Sequence, residues 1–284
     1  MIARNDVPLN GVDAGRGQAP GLARLPDNGR NAPEPGRVEI LGVGLDALTR
    51  RELLEQVLSI VRSAGRAQIM YANAHVLNTA YGDPELRHVL NQADLVYCDG
   101  AGARWAARLL GQQLPERMTG ADWIYDLCRL CQDQGIRLYI LAGEPGVAAQ
   151  AADRLQLLYP RLQIAGTHQG YFEHTGPENA AIIAQINAAH PDILLVGLGT
   201  PHQEKWIARS WEQLDLPVVW AVGAVVDYVV GKQPRAPGWM LEHDLEWLGR
   251  LASDPQRLWK RYLLGNPLFL YRVVRQRVSR RVRQ

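Results

Sequence analysis

A carboxylate that follows an apolar run is the first candidate for chemistry in this sequence. Asp99 stands in the stretch 93–102, ADLVYCDGAG, where Leu95–Tyr97 is typical of a buried strand and the Asp-Gly-x-Gly predicts a turn into a helix. Ligands bind at the carboxyl ends of strands in open α/β sheets, so Asp99 is our candidate catalytic base. Taken alone, the local sequence favours the alternative, a helix N-cap.

Three further polar residues stand at predicted strand ends or helix starts. Asn73, in YANAHVLNTAY, either caps the next helix, which is the default, or faces the same cleft as Asp99. Arg117, in PERMTGADW, is either a surface residue or an anion clamp. Gln203, in VGLGTPHQEKW, stands at a predicted helix N-terminus, where its amide could bond a sugar hydroxyl or a base edge. We therefore expect a polar cleft at one sheet edge.

Other chemical signals are weaker. The junction LAGEPGVAAQAADRL, residues 141–155, could offer backbone N–H groups to a diphosphate, but its spacing fits no phosphate-binding fingerprint and favours a tight turn. Cys128 and Cys131 form a CxxC in mid-helix, which favours packing over redox or zinc chemistry. The seven scattered histidines form neither HxH nor HExxH, so we predict no protein-built metal site.

The elements that must position these residues alternate between strand and helix. Strands are predicted at 38–43, 67–71, 95–98, 137–141, 162–165, 192–196 and 218–222. Helical periodicity separates most of them, which indicates a mostly parallel sheet flanked by helices. We divide the chain into a disordered leader, 1–36, a sheet domain, 37–236, and a helical appendage, 237–284.

Composition is that of a soluble globular protein, with 284 residues, 47% hydrophobic and 21% charged, and a net charge of +2. Three cysteines, an odd number, fit a reducing cytoplasm. We find no signal peptide, and no run reaches the roughly 18 apolar residues of a membrane-spanning helix. Export is therefore not expected.

The positive charge is concentrated at the C-terminus. Residues 257–284 contain nine Lys or Arg and no acid, and the last helix has an apolar stripe that starts at Tyr271. A basic amphipathic helix of this kind is typical of one that lies on an anionic membrane surface. The alternative is a basic tail that binds nucleic acid or nothing in particular.

In its motifs the chain resembles the bacterial WecG/TagA/CpsF glycosyltransferases, from about Val38 to Tyr271. The motifs are ANAHVLNTA, ADLVYCDGAG, LPERMTGAD, GLGTPHQEKW, GAVVDYVVGKQPRAPGW, and LEWLGRL followed by DPQRLWKRYLLGNP. The resemblance implies a Rossmann-like fold and inverting, metal-independent transfer of a hexose or N-acetylhexosamine-type sugar from a UDP-sugar to a polyprenyl-diphosphate-linked saccharide. It places the enzyme on the cytoplasmic face of the cell membrane, in surface polysaccharide or exopolysaccharide synthesis, without a cofactor or a nucleic-acid partner. The oligomeric state stays open.

The resemblance also assigns roles to single residues. Asp99 would take the proton of the acceptor hydroxyl, and the cleft would be lined by Asn73, Arg117 and Gln203. The appendage, on closing, would bring four cations to the diphosphate, namely Arg250, Arg257, Lys260 and Arg261. Departures from the family pattern are Tyr71 for a common threonine, Val226 for an aromatic residue, and His243-Asp244 for a glycine. The first departure, Tyr71, falls in the predicted cleft, so the sequence does not determine which sugar the donor carries.

Two alternatives stand beside this prediction. The first is a nucleotide-sugar hydrolase or epimerase, although a dehydrogenase-type epimerase would need a dinucleotide fingerprint and a YxxxK pair that we do not find. The second is a non-catalytic module whose basic tail binds a membrane or nucleic acid.

Overall fold

The structure is a computed structural model that describes residues 37–283. The predicted disordered leader, residues 1–36, lies outside the described residues. The first element is an antiparallel hairpin of β1, Arg37–Ile40, and β2, Val43–Asp46. The single strand predicted at 38–43 was therefore wrong, because Leu41 and Gly42 both adopt positive φ, 53° and 82°, and turn the chain back on itself.

Six strands form one parallel sheet. They are β3 Ala67–Ala72, β4 Leu95–Cys98, β5 Arg137–Ala142, β6 Gln163–His168, β7 Ile193–Gly197 and β8 Val218–Ala221. Their order is β4-β3-β8-β7-β5-β6, and every pairing is parallel. The predicted Rossmann-like α/β architecture is confirmed. Since the strands run the same way, the residues that follow β3, β4 and β8 all meet at one edge.

Helices cover both faces of the sheet. Those of the sheet domain are α1 Arg50–Arg62, α2 Ala74–Gly82, α3 Pro84–Gln92, α4 Ala101–Leu109, α5 Gly120–Gln134, α6 Val147–Leu158, α7 Gly176–Ala188, α8 His202–Ser210 and α9 Val225–Val229. Side chains alternate along each strand, so Met70 and Ala72 enter one core while Ile69 enters the other. In the second core, Trp123 of α5 stacks on Trp220 of β8 with ring centroids 4.3 Å apart. This layered packing holds the strand ends rigidly in place.

The last part of the described chain is helical, as predicted. It contains α10 Gly238–Glu242, α11 Glu246–Ser253, α12 Pro255–Trp259, a π-helical turn Lys260–Leu264, and α13 Gly265–Arg283. Helix α13 packs on α2, and its Phe269 and Val273 are buried in the first core. The appendage therefore shares the core of the sheet domain. The domain boundary at 236/237 stays a prediction.

Polar contacts add to this packing. Arg272 of α13 donates to the carbonyl oxygen of Asn78 at 2.9 Å and to its Oδ1 at 3.0 Å. The Gln276 Oε1 accepts from the backbone N–H of Leu41 at 3.0 Å, and Arg280 pairs with Glu39 at 3.0 Å. Helix α13 is thus fixed to α2 and to the β1–β2 hairpin.

Candidate active site

A cavity of about 1060 Å³ lies at the carboxyl ends of β3, β4 and β8. The sheet domain forms its floor, and α11, the π-helical turn and α13 form the opposite wall. The polar and charged side chains that line it include Tyr71, Asn73, His75, Asp99, Arg117, Tyr228, Glu246, Arg250 and Arg261. The structure therefore brings together residues that are far apart in the sequence.

Asp99 follows β4 and does not cap the helix after it. The N-cap of α4 is Gly100, whose φ of 80° suits a residue without a Cβ, and no side chain caps this helix. The backbone N–H of Asp99 donates to the carbonyl oxygen of Ala72 at 3.0 Å, which fixes the residue beside the end of β3. The carboxylate lines the cavity.

Asn73 combines the two roles that the sequence left as alternatives. Its Oδ1 accepts from the backbone N–H groups of His75 and Val76, each at 3.0 Å, and so caps α2. Its Nδ2 donates to Asp99 Oδ2 at 2.7 Å. Because the cap fixes the amide, Nδ2 is held toward the carboxylate and orients it.

The surroundings raise the pKa of Asp99. Burial is the main cause, because it disfavours the charged carboxylate, and the charge of Glu246 acts in the same direction. The hydrogen bond from Asn73 and the charges of Arg250 and Arg261 lower the pKa and offset part of this effect. A raised pKa makes Asp99 a stronger proton acceptor than an ordinary aspartate.

Arg117 lies in the cavity wall with an acidic partner on each side. Its Nη1 is 2.8 Å from Glu246 Oε2 in α11, and its Nη2 is 3.7 Å from Asp122 Oδ2 in α5. Asp122 is fixed in turn by Thr119, which caps α5 and donates its hydroxyl to the carboxylate at 2.8 Å. Arg117 thus joins the sheet domain to the appendage within the candidate site.

Two of the four predicted appendage cations line the cavity. Arg250 donates to the hydroxyl of Tyr228, and its guanidinium carbon lies 4.9 Å from the centroid of that ring. Arg261 lies near Asp99 and Tyr71, whose pKa values its charge lowers. Its buried Nε has no hydrogen-bond partner among the described residues.

The other two appendage cations are not among the residues that line the cavity. Arg257 is exposed and pairs with Asp254 at 2.7 Å, and Lys260 is exposed with its Nζ 5.6 Å from the centroid of the Trp259 ring. Leu258 and Tyr262 are buried on the inward face of the same segment. Arg257 and Lys260 therefore lie outside the cavity lining in this structure, and the expectation that they reach the diphosphate once the appendage closes stays a prediction.

Gln203 lies behind the cavity wall and not in it. Its fully buried amide accepts from the backbone N–H of Gly223 at 3.0 Å and donates to the Tyr71 hydroxyl at 3.2 Å and to Glu204 Oε1 at 2.8 Å. Tyr71, which does line the cavity, thus stands between Gln203 and the site. The expectation that Gln203 lines the cleft is corrected: it supports Tyr71 and the end of β8.

Sequence reasoning missed several residues of the site. Tyr71 was noted only as a departure from the family pattern; burial raises the pKa of its hydroxyl to about 12. His75 lines the cavity, and burial, with the nearby charge of Arg261, lowers its pKa to about 4. Tyr228 and Glu246 were also missed. The position of His75, two residues after Asn73, is the signal that could have identified it.

The other sequence signals have structural explanations. Gly197 ends β7 and Gly223 follows β8, and a Cβ on Gly197 would lie 2.4 Å from the carbonyl oxygen of Gly223, so close backbone approach requires glycine at position 197. Cys128 and Cys131 are buried in the second core. Within residues 37–283, no group of three or more His, Cys, Asp or Glu side chains could hold a metal ion.

Known proteins are similar to this chain over nearly all of its described residues. The sequence model described as Glycosyl transferase WecG/TagA/CpsF family matches residues 38–283. A Staphylococcus aureus (strain MW2) protein, N-acetylglucosaminyldiphosphoundecaprenol N-acetyl-beta-D-mannosaminyltransferase, is 28% identical over 241 residues, which are 84% of this chain and 92% of the relative. The protein of that name from strain MRSA252 is 29% identical over 243 residues, with the same coverage of both chains.

Proposed function

The chain belongs to the WecG/TagA/CpsF family of glycosyltransferases, and from this we propose that it transfers a hexose or N-acetylhexosamine-type sugar from a UDP-sugar to a polyprenyl-diphosphate-linked saccharide. The resemblance stated from the sequence motifs and the prediction of a glycosyltransferase are both confirmed. The names of the relatives support the acceptor, because they specify a sugar linked to diphosphoundecaprenol.

One observation carries the proposal: a carboxylate of raised pKa lies in a cavity that also holds arginines. Asp99 takes the proton of the acceptor hydroxyl, and the acceptor oxygen attacks the anomeric carbon of the donor. The bond from that carbon to the UDP oxygen breaks as the new glycosidic bond forms. A single displacement of this kind inverts the anomeric centre. Asn73 fixes the carboxylate throughout.

The leaving UDP carries developing negative charge on its diphosphate. Arg250 and Arg261, both in the cavity wall, are placed to neutralise this charge. Arg117 also lines the cavity, where it is paired with Glu246. We propose that these guanidinium groups stabilise the negative charge of the leaving diphosphate and that no metal ion is required. Transfer should therefore persist in the presence of a chelator.

The surface of the appendage supports attachment to the cytoplasmic face of the membrane. In the described part of the chain, no helix has the length and apolar character needed to cross a bilayer. Trp259, Leu264 and Tyr271 are exposed, and basic residues lie among them. Apolar side chains interleaved with cations are typical of a peripheral contact with anionic lipid.

The experiment that tests this function measures UDP release from a panel of UDP-sugars in the presence and absence of a lipid-diphosphate-linked acceptor. Release that depends on the acceptor is expected, and Asp99→Asn should lower kcat by a factor of roughly 10² or more, since the amide cannot take the proton. Asp153→Asn, the same change at an exposed position of α6 outside the cavity lining, serves as a control for the handling of variants. Full-rate release without acceptor would identify a hydrolase and contradict the proposal.

A further inference from the structure

The cavity continues beyond the catalytic groups as a groove between α4 and α13. Asp99 lies just before the start of α4, and Gly102, Trp105 and Leu109 face the cavity at helical spacing along that helix. Successive positions therefore lead away from the carboxylate. On the opposite side, Leu270 and other residues of α13 line the same cavity.

The wall formed by α13 has the same periodicity. Asn266, Leu270, Val273 and Arg277 recur every three or four residues and all line the cavity. At 1.5 Å per residue this stripe spans roughly 16 Å. The groove therefore has the length to hold an extended chain beside the catalytic groups.

Between its ends the groove is lined mostly by apolar residues, together with Arg108 of α4. We call it the α4–α13 groove, and its apolar lining is formed by Trp105, Ala106, Leu109, Leu263, Leu270 and Val273. Trp105, Leu263 and Leu270 are respectively 60%, 54% and 56% exposed. Large apolar side chains concentrated along one groove mark a binding surface for an apolar ligand.

We propose that the α4–α13 groove binds the first prenyl units of the lipid-linked acceptor, an inference that rests on the proposed function. The groove opens into the part of the cavity that holds Arg250 and Arg261, so an apolar wall and a cationic wall adjoin in one space. A prenyl diphosphate has the same two parts covalently joined. The groove would align the acceptor sugar with Asp99 by holding the tail.

A pair of leucines on α13 provides a matched test. Leu270 lines the groove, whereas Leu268, 44% exposed, lies on the same helix outside the cavity lining. Dissociation constants for farnesyl diphosphate and inorganic pyrophosphate are measured by calorimetry in the full chain. The wild type should bind farnesyl diphosphate at least tenfold more tightly, and Leu270→Gln should lose about tenfold of that preference while Leu268→Gln keeps it.

The possible results separate the groove from its alternatives. Equal affinity for the two ligands, or equal losses in the two variants, would overturn the proposal. A change of oligomeric state in Leu270→Gln, seen by sedimentation without a change in farnesyl diphosphate affinity, would identify a surface between two copies and also overturn it. A preserved tail preference without sugar transfer would contradict the proposed function and leave the groove standing. Unfolding temperatures of both variants check that each is folded.

Discussion

Asp99 depends on a neighbour that serves two elements at once. The Asn73 side chain uses its oxygen to cap α2 and its nitrogen to hold the carboxylate, so the start of a helix sets the orientation of the candidate base. The donated hydrogen bond also lowers the pKa of Asp99, against the larger effect of burial. The same side chain therefore affects both the position and the acidity of the candidate base.

Replacing Asn73 by Ser tests the second effect. Serine can still cap α2, but it cannot donate to Asp99 in the same way, so the charged carboxylate loses a stabilising bond and its pKa rises. A hydrogen bond to a charged group contributes about 1.5–3 kcal/mol, or roughly one to two pKa units. The acidic limb of the pH profile of kcat/KM should move to higher pH by that amount. An unmoved limb, in a variant whose helix content is unchanged, would contradict the role assigned to Asn73.

Sequence reasoning placed some residues in the cavity correctly and misplaced others for a physical reason. Asp99 and Asn73 could be predicted because both come directly after strands whose apolar character is strong, and parallel strands end at one edge. Gln203 also follows a strand end, but its position behind Tyr71 depends on how α8 packs under β8. Likewise, Glu246 is distant in sequence from Arg117, its partner. Local patterns do not encode such contacts.

At the scale of elements, α13 has a structural role beside the proposed contact with the membrane. Its inward residues complete the first core, while its polar residues bond to α2 and to the β1–β2 hairpin. Deleting residues 257–284, the simplest test of membrane attachment, would therefore also remove core side chains. Single substitutions separate the two effects.

Phe269→Ala measures the structural role of α13. Phe269 is 6% exposed, and truncating a buried phenylalanine costs about 3–5 kcal/mol of unfolding free energy. Val274→Ala, at a position 44% exposed on the same helix, should change the stability by less than about 0.5 kcal/mol. Denaturant unfolding of the two variants checks the comparison. Equal stabilities would show that α13 adds little to the core.

The elements were predicted better than the turns between them. The six strands of the parallel sheet were found within a few residues because each is a short apolar run between helical patterns. The hairpin was missed because Leu41 adopts a positive φ that its residue type gives no reason to expect. Its bond to Gln276 of α13 joins residues 235 apart in sequence, beyond the reach of any local pattern.

At the scale of the whole molecule, positive charge that does not enter the cavity is available to a lipid surface. Replacing Arg257, Lys260 and Arg275 by Gln should weaken binding to anionic vesicles by roughly 100-fold, since each basic residue near such a surface contributes about 1 kcal/mol. The matched control replaces Arg51, Arg129 and Arg161, three exposed arginines outside the appendage. Vesicle sedimentation at two salt concentrations measures both. Equal weakening in the two triple variants would indicate a nonspecific effect of net charge.

The contact between α13 and the β1–β2 hairpin also affects when the protein can finish folding during its synthesis. The hairpin leaves the ribosome first among the described elements, but its partners Gln276 and Arg280 are translated more than 200 residues later. Until then the core surface that receives Phe269 and Val273 stays open to water. Before α13 is made, the sheet domain therefore exposes apolar surface of the kind that makes incomplete chains prone to association, and docking of α13 covers that surface and completes one wall of the candidate cavity.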